Sequence, residues 1–197
     1  SSLASSSFAL ADDFPQWRGV NRDGVINENN LMQELPEGEL PRKWSVPIGS
    51  GYSGPTVAKG KVYVTDRGIG ESDNQVERIL CFDEETGKQV WEHSYKVNYN
   101  DDEYNIGYKA GPRAAVTIQD GKAISVGAMG DLKCLDASSG QIIWEHQLAS
   151  EYKVKMPIWG ITAAPLIYED LVIQIAAGSA GACVVAFDLQ TGKEKWR

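Results

Sequence analysis

Short apolar runs, broken by turns that contain glycine, recur along most of this chain. The clearest turn has the form Asp-x-x-[Thr/Ser]-Gly and occurs three times, at Asp83–Gly87, Asp136–Gly140 and Asp188–Gly192. The aspartate can bond the backbone two residues on, and glycine supplies the positive φ that a chain reversal needs. An apolar strand-like run precedes each turn and a second one follows it. Each turn therefore predicts a β-hairpin.

A tryptophan ends the strand after each turn, and an earlier tryptophan begins the series: Trp44, Trp91, Trp144 and Trp196. A second hairpin comes earlier in each unit, over Pro55–Val64, Val116–Ile124 and Pro165–Ile173. Four short strands in units of about fifty residues, without helical periodicity, predict an all-β fold built from β-propeller blades. A two-sheet sandwich also spaces short strands regularly, but it has no reason to repeat one turn and one tryptophan.

These residues carry a resemblance to a known family. The phrase [Ala/Leu]-x-Asp-x-x-Thr-Gly-x-x-x-Trp resembles the pyrroloquinoline quinone (PQQ) type β-propeller repeats, over Trp44–Arg197. Phe14–Gly24 and Gly111–Ala114 also resemble segments of its secreted bacterial members. The resemblance implies that the blade tryptophans dock on neighbouring blades. Because three blades cannot close a ring, we expect an incomplete, N-terminal portion of a longer polypeptide.

The chain divides into three predicted parts. Residues 1–11 are predicted to be the remnant of a secretory signal, residues 12–43 an N-terminal extension, and residues 44–197 the propeller blades, at about 52–93, 111–147 and 162–197. Ala9-Leu10-Ala11 fits the small-x-small pattern read by signal peptidase, with a disordered Ser/Ala leader as the alternative. The protein is therefore predicted to be periplasmic or secreted.

Composition excludes two classes of function. The chain has 19 basic and 27 acidic residues, a net charge of −8, and no concentrated basic face for nucleic acid. No apolar run approaches the roughly 18 residues of a membrane span. Three cysteines, Cys81, Cys134 and Cys183, lie in apolar strand-like runs, which predicts buried small hydrophobic residues and neither a disulfide framework nor a zinc site.

Strand parity separates two faces of the predicted blades. The short hairpin turns share one face, which we name the turn face. The long and variable connections, at 67–76, 94–109 and 149–162, share the other, which we name the loop face. Irregular loops on a rigid scaffold are where binding sites usually lie. The loop face is therefore the predicted functional face.

Two residues on that face are candidate cofactor-binding residues. Arg113 begins the innermost strand of the second blade, so its guanidinium can reach the central channel and bind an anion, or it can pair with a neighbouring loop. Trp159 precedes Gly160 and lies outside the docking register, either as an aromatic platform at the channel mouth or as core. The oxygen-rich loop Asn98–Asn105 lacks calcium-loop spacing, so it is predicted to be a solvated acidic loop.

Three other patterns do not indicate a site. Gly49–Gly54 matches GxGxxG, but a strand with Pro55 follows instead of a phosphate-binding helix. His93 and His146 recur as Trp-Glu-His on outer strands and are interpreted as repeat residues. With only these two histidines, a Ser-His-Asp or Cys-His nucleophile is not expected. Carboxylates are plentiful, but the sequence does not decide whether any pair could hydrolyse a glycoside.

Two functions remain open. The first is a non-catalytic, exported scaffold that binds an envelope protein or a small ligand on the loop face, as the resemblance implies for part of the family. The second is a PQQ-dependent quinoprotein dehydrogenase of alcohols or sugars, in which PQQ with calcium would supply the chemistry. That group commonly carries an adjacent Cys-Cys pair, which this chain lacks. The scaffold is therefore the preferred prediction, without an assigned metal site or catalytic residue.

Overall fold

A computed structural model describes residues 13–26, 28, 31–32, 34, 37–68, 76–99 and 111–197. In this part of the chain, twelve strands form three four-stranded antiparallel sheets in which sequential strands are neighbours. Blade 1 contains β1 (Thr56–Ala58), β2 (Lys61–Arg67), β3 (Val76–Asp83) and β4 (Gln89–Lys96). Blade 2 contains β5 (Thr117–Gln119), β6 (Lys122–Val126), β7 (Asp131–Asp136) and β8 (Ile142–Gln147). Blade 3 contains β9 (Leu166–Tyr168), β10 (Leu171–Ile175), β11 (Val184–Asp188) and β12 (Glu194–Trp196). The predicted all-β architecture of four-stranded blades is confirmed.

The repeated turns have the local geometry that their sequence predicts. In blade 1, the Asp83 carboxylate accepts hydrogen bonds from the Thr86 backbone N–H at 3.0 Å and the Thr86 hydroxyl at 2.8 Å. The same bonds lower the pKa of Asp83. Gly87 follows at φ +67°, a conformation that costs most other residues energy. Each turn thus closes the hairpin between the third and fourth strands of its blade.

Adjacent blades bury apolar side chains against each other. Ile79 and Cys81 of blade 1 share a buried cluster with Leu135 of blade 2. In the same way, Leu132 of blade 2 shares a cluster with Phe187 of blade 3. Because side chains alternate along a strand, the strands of each blade place apolar side chains on both faces of the sheet. The core therefore lies between the sheets.

Hydroxyl groups join the innermost strands of neighbouring blades. Thr56 of β1 donates its hydroxyl to the carbonyl of Val116 at 2.7 Å. Thr117 of β5 donates in the same way to the carbonyl of Pro165 at 2.6 Å. Blade 3 has an aliphatic residue, Leu166, at the equivalent position. These bonds hold the inner edges of the three blades side by side, where their strands start.

The segment that precedes the blades runs along these inner edges. Phe14 pairs with Val57 of β1 through two backbone hydrogen bonds of 2.8 and 3.1 Å. The carbonyl of Pro15 accepts the N–H of Ile118 in blade 2 at 2.8 Å. The start of the predicted extension therefore touches two blades. Residues 1–11 lie outside the described residues, and the division at residue 43 stays a prediction.

Two expectations from the sequence need correction. A four-residue helix, α1 (Leu148–Glu151), follows β8, although no helical periodicity predicts one; the Gln147 side chain caps it by accepting the Ser150 N–H. Cys81 and Cys134 are buried as predicted, but Cys183 is exposed. Cys183 belongs to the tight loop between β10 and β11. The strand therefore starts at Val184, one residue later than the apolar run in the sequence suggests.

Candidate functional site

The repeat tryptophans form the joints between blades. The Trp91 indole N–H donates to the Ala137 carbonyl in the turn of blade 2 at 3.0 Å. The indole of Trp144 donates to the Leu189 carbonyl of blade 3 at 3.0 Å, and that of Trp44 to the Glu84 carbonyl of blade 1 at 2.8 Å. Trp196 is 44% exposed. Trp44, Trp91 and Trp144 therefore have a structural role, since each bonds the repeated turn of the blade that follows it.

Glycine in the repeated turn leaves room for each indole. A Cβ on Gly140 would lie 2.6 Å from an atom of the Trp91 ring, and one on Gly192 would lie 2.7 Å from the Trp144 ring. Gly87 has the same relation to Trp44, at 2.6 Å. Glycine is needed at these positions both for its positive φ and for this close approach.

Arg113 and Trp159 meet on the loop face. The Arg113 guanidinium carbon lies 5.1 Å from the centre of the Trp159 ring and 4.2 Å from that of Tyr52. Each of the three residues precedes the innermost strand of a different blade. We name Tyr52, Arg113 and Trp159 the aromatic–arginine cluster. Both aromatic side chains are partly exposed, so the cluster is accessible from solvent.

The alternative for Arg113, a salt bridge to a neighbouring loop, is absent among the described residues, which do not include residues 100–110. In the described part of the chain, no ion pair involves Arg113. Its Nε is buried and has no hydrogen-bond partner among these residues. The guanidinium is thus held by aromatic rings, which attract a cation without neutralising it. It keeps its capacity to bind an anion.

The sequence analysis missed Tyr52. Its backbone N–H donates to the Pro112 carbonyl at 2.9 Å, which sets it beside Arg113. The available signal was positional, since Tyr52 and Arg113 each stand four residues before the first strand of their blade. The glycines on either side of Tyr52 belong to a GxGxxG pattern, which is typical of phosphate-binding loops and gives no role to Tyr52. No helix follows that pattern in the structure.

A cavity of about 570 Å³ adjoins Arg113. Its lining includes Trp17, Arg22 and Arg113, which we name the cationic wall. Leu166, Ile173, Ile175 and Val184 also line it and share one face of blade 3, which we name the aliphatic wall. Within the lining, the charged groups are the two guanidinium groups. The cavity therefore combines two cations with an apolar sheet face.

The aliphatic wall belongs to the outward face of blade 3. Ile173 pairs with Leu166 as Ile124 pairs with Thr117 one blade earlier. Ile124 is fully buried against blade 3. Val184 corresponds to Leu132, which is also fully buried between blades. This wall thus consists of blade-packing positions, and the cationic wall is the better candidate for recognition.

A buried carboxylate connects blades 1 and 2 beneath the loop face. Glu77 of β3 is fully buried, and its Oε1 accepts the Tyr99 hydroxyl at 2.6 Å and the Ala128 N–H at 3.1 Å. Its Oε2 accepts the Tyr95 hydroxyl at 2.6 Å. Burial raises the pKa of Glu77, and the three hydrogen bonds oppose that rise. Sequence reasoning gave no signal for this network, since its members lie in three separate segments.

The two repeated histidines have different surroundings. In blade 2, His146 Nδ1 lies 2.7 Å from Glu151 Oε2, and its Nε2 lies 2.7 Å from the Gly192 carbonyl. In blade 1, His93 Nε2 is buried without a partner among the described residues, and burial lowers the pKa of His93. Within the described ranges no group of three or more His, Cys, Asp or Glu could hold a metal ion.

The predicted acidic loop lies mostly outside the described residues. Of Asn98–Asn105, the structure describes Asn98 and Tyr99, and Tyr99 is fully buried against Glu77. Calcium binding there is not tested. In the part of the chain that the structure covers, no helix is long and apolar enough to cross a membrane.

The PQQ and calcium implied by the resemblance can be tested for fit against the cavity. Two guanidinium groups and the Trp17 ring suit a planar, anionic molecule, because cations bind carboxylates and an indole offers a stacking face. Calcium prefers carboxylate and carbonyl oxygens, and no carboxylate side chain belongs to the lining among the described residues. The lining therefore fits the organic anion and does not fit the calcium ion.

Comparison with known proteins finds a matching family and similar folds. Residues 75–197 match the model of the PQQ-like repeat family described as outer membrane protein assembly factor BamB. BamB of Shewanella oneidensis is 25% identical over 159 residues, which cover 78% of this chain and 35% of that protein. Quinohemoprotein alcohol dehydrogenase ADH-IIG of Pseudomonas putida is 25% identical over 206 residues, which cover 95% of this chain and 26% of that protein.

Solved structures show the same fold. The quinohemoprotein alcohol dehydrogenase of Comamonas testosteroni matches with a TM-score of 0.52 at 23% identity, over 76% of this chain and 21% of that one. A europium-containing methanol dehydrogenase matches with a TM-score of 0.51 at 19% identity, over 76% of this chain and 25% of that one. The chain thus spans between 26% and 35% of the length of the curated relatives described above.

Proposed function

Because this chain belongs to the PQQ-like repeat family, whose matching model carries the description of an outer membrane assembly factor, we propose that it is a protein-binding β-propeller scaffold. It binds its partner through the loop face and performs no chemistry of its own. Relatives named BamB support this choice, as does the strand geometry, which turns the variable connections to one side.

The aromatic–arginine cluster is the observation that carries the proposal. Trp, Tyr and Arg are the residue types most enriched at the energetic centres of protein interfaces. Here Tyr52, Arg113 and Trp159 precede the inner strands of three successive blades, and both aromatic rings contact the Arg113 guanidinium. The scaffold fixes their spacing, so little ordering is needed when a partner binds.

We further propose that the protein is exported and that its partner is an envelope protein. The Ala9-Leu10-Ala11 pattern supports export, because it suits cleavage by signal peptidase. The BamB relatives support an envelope partner, because their name assigns them to outer membrane protein assembly. Fractionation of cells that make the intact protein tests the location. Recovery with cytoplasmic proteins would contradict it.

Site-specific photo-crosslinking tests the binding face. A photoreactive phenylalanine analogue replaces Tyr52 on the loop face, or Tyr168, which is also exposed but ends β9 beside the turn face. The intact protein is irradiated in cells, and adducts are identified by mass spectrometry. We expect a defined envelope protein at position 52 and none at position 168.

A quantitative measurement completes this test. The purified partner should bind the intact protein with an affinity that Trp159→Ala weakens about tenfold or more, as at an interface centre. Val90→Ala, on the exposed outer strand β4, serves as the control and should leave affinity unchanged. Equal crosslinking at positions 52 and 168, or equal effects of the two substitutions, would refute a loop-face scaffold.

The PQQ-dependent dehydrogenase is the second candidate, favoured by the match to the alcohol dehydrogenase and by the cationic wall of the cavity. In this case Arg22 and Arg113 would hold the carboxylates of the cofactor, and Trp17 would stack on its ring. Titration of the intact protein with PQQ and calcium tests this function. Quinone absorbance together with reduction of an artificial acceptor by alcohols would favour the enzyme over the scaffold.

A further inference from the structure

Arg113 has no carboxylate partner among the described residues, and it is the one arginine among them with a buried side-chain nitrogen that lacks a hydrogen bond. The sequence has 27 acidic and 19 basic side chains, so acidic groups are in excess. Two of the seven arginines pair with them among the described residues, Arg78 with Asp66 at 2.5 Å and Arg197 with Glu194 at 3.5 Å. Arg22, which lines the same cavity, also lacks an ion pair in this part of the chain; its one side-chain bond, to Gln16, is 3.3 Å long. One cavity is thus lined by two cations that have no carboxylate partner among the described residues.

The rings around Arg113 limit what can neutralise it. Tyr52 and Trp159 lie over the guanidinium, with ring centres 4.2 and 5.1 Å from its carbon, and Nε is buried, so the two Nη groups remain to bind an anion. A planar fork of donors fits a carboxylate bidentately. Stacking also restricts the rotamers of the long side chain, so less entropy is lost when the fork is used. The geometry therefore favours a carboxylate over a neutral hydrogen-bonding group.

The surroundings of this fork are apolar and exposed. Tyr52 is 49% exposed, Ile158 52% and Trp159 41%. A ligand that brings a carboxylate to Arg113 therefore meets an indole, a phenol and an aliphatic chain beside it. Burial of such side chains by a partner removes apolar surface from water and strengthens the ion pair by excluding solvent.

We infer that the aromatic–arginine cluster receives an acidic segment of the protein partner, with one carboxylate on Arg113 and an adjacent apolar side chain on Trp159. This inference rests on the proposed scaffold function and adds the chemistry of its partner. Arg22 lines the same cavity and receives a second carboxylate of the segment. The excess negative charge of the chain repels acidic segments elsewhere, so the cluster also fixes the register of binding.

Charge reversal tests the inference in the intact protein. First, the partner peptide crosslinked at position 52 is sequenced, and we expect Asp or Glu within a few residues of an apolar residue. Second, affinity is measured for Arg113→Gln, Arg113→Lys and Arg113→Glu. We expect a loss of about tenfold for Gln, a smaller loss for Lys, and a larger loss for Glu, as for a charge-assisted bidentate contact. Lys88→Gln, an exposed cation beside a turn, is the control.

A compensating change on the partner gives the decisive result. Replacing the identified partner carboxylate by Lys should restore binding to Arg113→Glu. The inference is overturned if the crosslinked peptide has no acidic residue, or if Arg113→Gln binds within about twofold of wild type. Loss of binding in Trp159→Ala with no loss in Arg113→Gln would leave the scaffold function intact and remove the acidic partner. Competition by free PQQ at the same cluster would instead favour a small-molecule site.

Discussion

The indole of Trp91 in blade 1 lies against Gly140 of blade 2 so closely that a Cβ on the glycine would be 2.6 Å from the ring. The same ring donates its N–H to the Ala137 carbonyl in that turn. One side chain therefore fixes both the distance and the orientation between neighbouring blades. The joint recurs along the chain, so its energetics can be tested at a single copy.

Gly140→Ala should destabilise the protein strongly. The residue has a φ of +72°, which costs a non-glycine residue about 1 kcal/mol, and the added methyl group must displace the Trp91 ring. We expect a loss of about 2 to 4 kcal/mol in the free energy of unfolding, measured by chemical denaturation.

Gly121→Ala is the matched control for this change. Gly121 has a φ of +73°, but no atom lies within 4 Å of the position that its Cβ would take. The unfolding free energy of Gly121→Ala should therefore fall by about 1 kcal/mol, the cost of a positive φ in a residue other than glycine. Equal losses for the two variants would mean that contact with Trp91 adds nothing to the joint.

Thr117→Val should weaken the contact between the inner strands of blades 2 and 3. The substitution keeps the shape of the side chain and removes the hydroxyl that donates to Pro165, so a buried carbonyl loses its partner. We expect a loss of about 1 to 2 kcal/mol in unfolding free energy. Thr56→Val removes the corresponding bond to Val116 and should cost a similar amount. An unchanged midpoint in both variants would show that these bonds are dispensable.

Glu77 should make stability depend on pH in the direction opposite to an ordinary paired carboxylate. Burial raises its pKa in the folded protein above the ordinary value of 4.5, so the folded state binds the proton more tightly than the unfolded state. The contribution is therefore fully present below about pH 4.5 and is lost as pH rises through the raised value. Glu77→Gln should remove this loss, which denaturation at a series of pH values will measure. Glu85→Gln, on an exposed turn, should retain the wild-type slope.

His93 should lose its proton at a lower pH than a free histidine does. The His93 ring is partly buried, its Nε2 has no partner among the described residues, and burial lowers its pKa below the ordinary value of 6.5. Nitrogen-15 NMR of the ring nitrogens over a series of pH values should therefore give a midpoint below 6.5 for His93. A midpoint at or above that value would contradict this prediction.

Repetition made the scaffold readable in the sequence. Asp83, Gly87 and Trp91 recur at constant internal spacing. The aspartate and the glycine shape the turn of their own blade, and the tryptophan bonds the turn of the next blade. The loop face could be assigned as well, since strand parity depends only on counting strands. Arg113 was identified from its position at the innermost strand of blade 2, and Trp159 from its position outside the docking register. The contacts of Arg113 with Trp159 and Tyr52 could not be predicted, because they depend on how three loops from three blades converge.

Other features left no pattern at all. Glu77 is not part of the repeated phrase. Its partners Tyr99 and Ala128 belong to segments that come together because blades 1 and 2 pack against each other. The helix α1 has four residues, too few to show a helical pattern of apolar positions in the sequence. It forms because Gln147 caps it and Leu148 is buried. Cys183 shows that one residue at the end of an apolar run can be exposed when the strand begins later.

By itself the sequence determined the hairpins, the blade repeat and the side on which variable loops emerge, because turn chemistry and side-chain alternation act over a few neighbouring residues. Only the tertiary structure decided which charges remain unpaired and which aromatic rings surround them. Those properties depend on distances between side chains that lie dozens of positions apart, and such distances arise only when the sheets pack face to face.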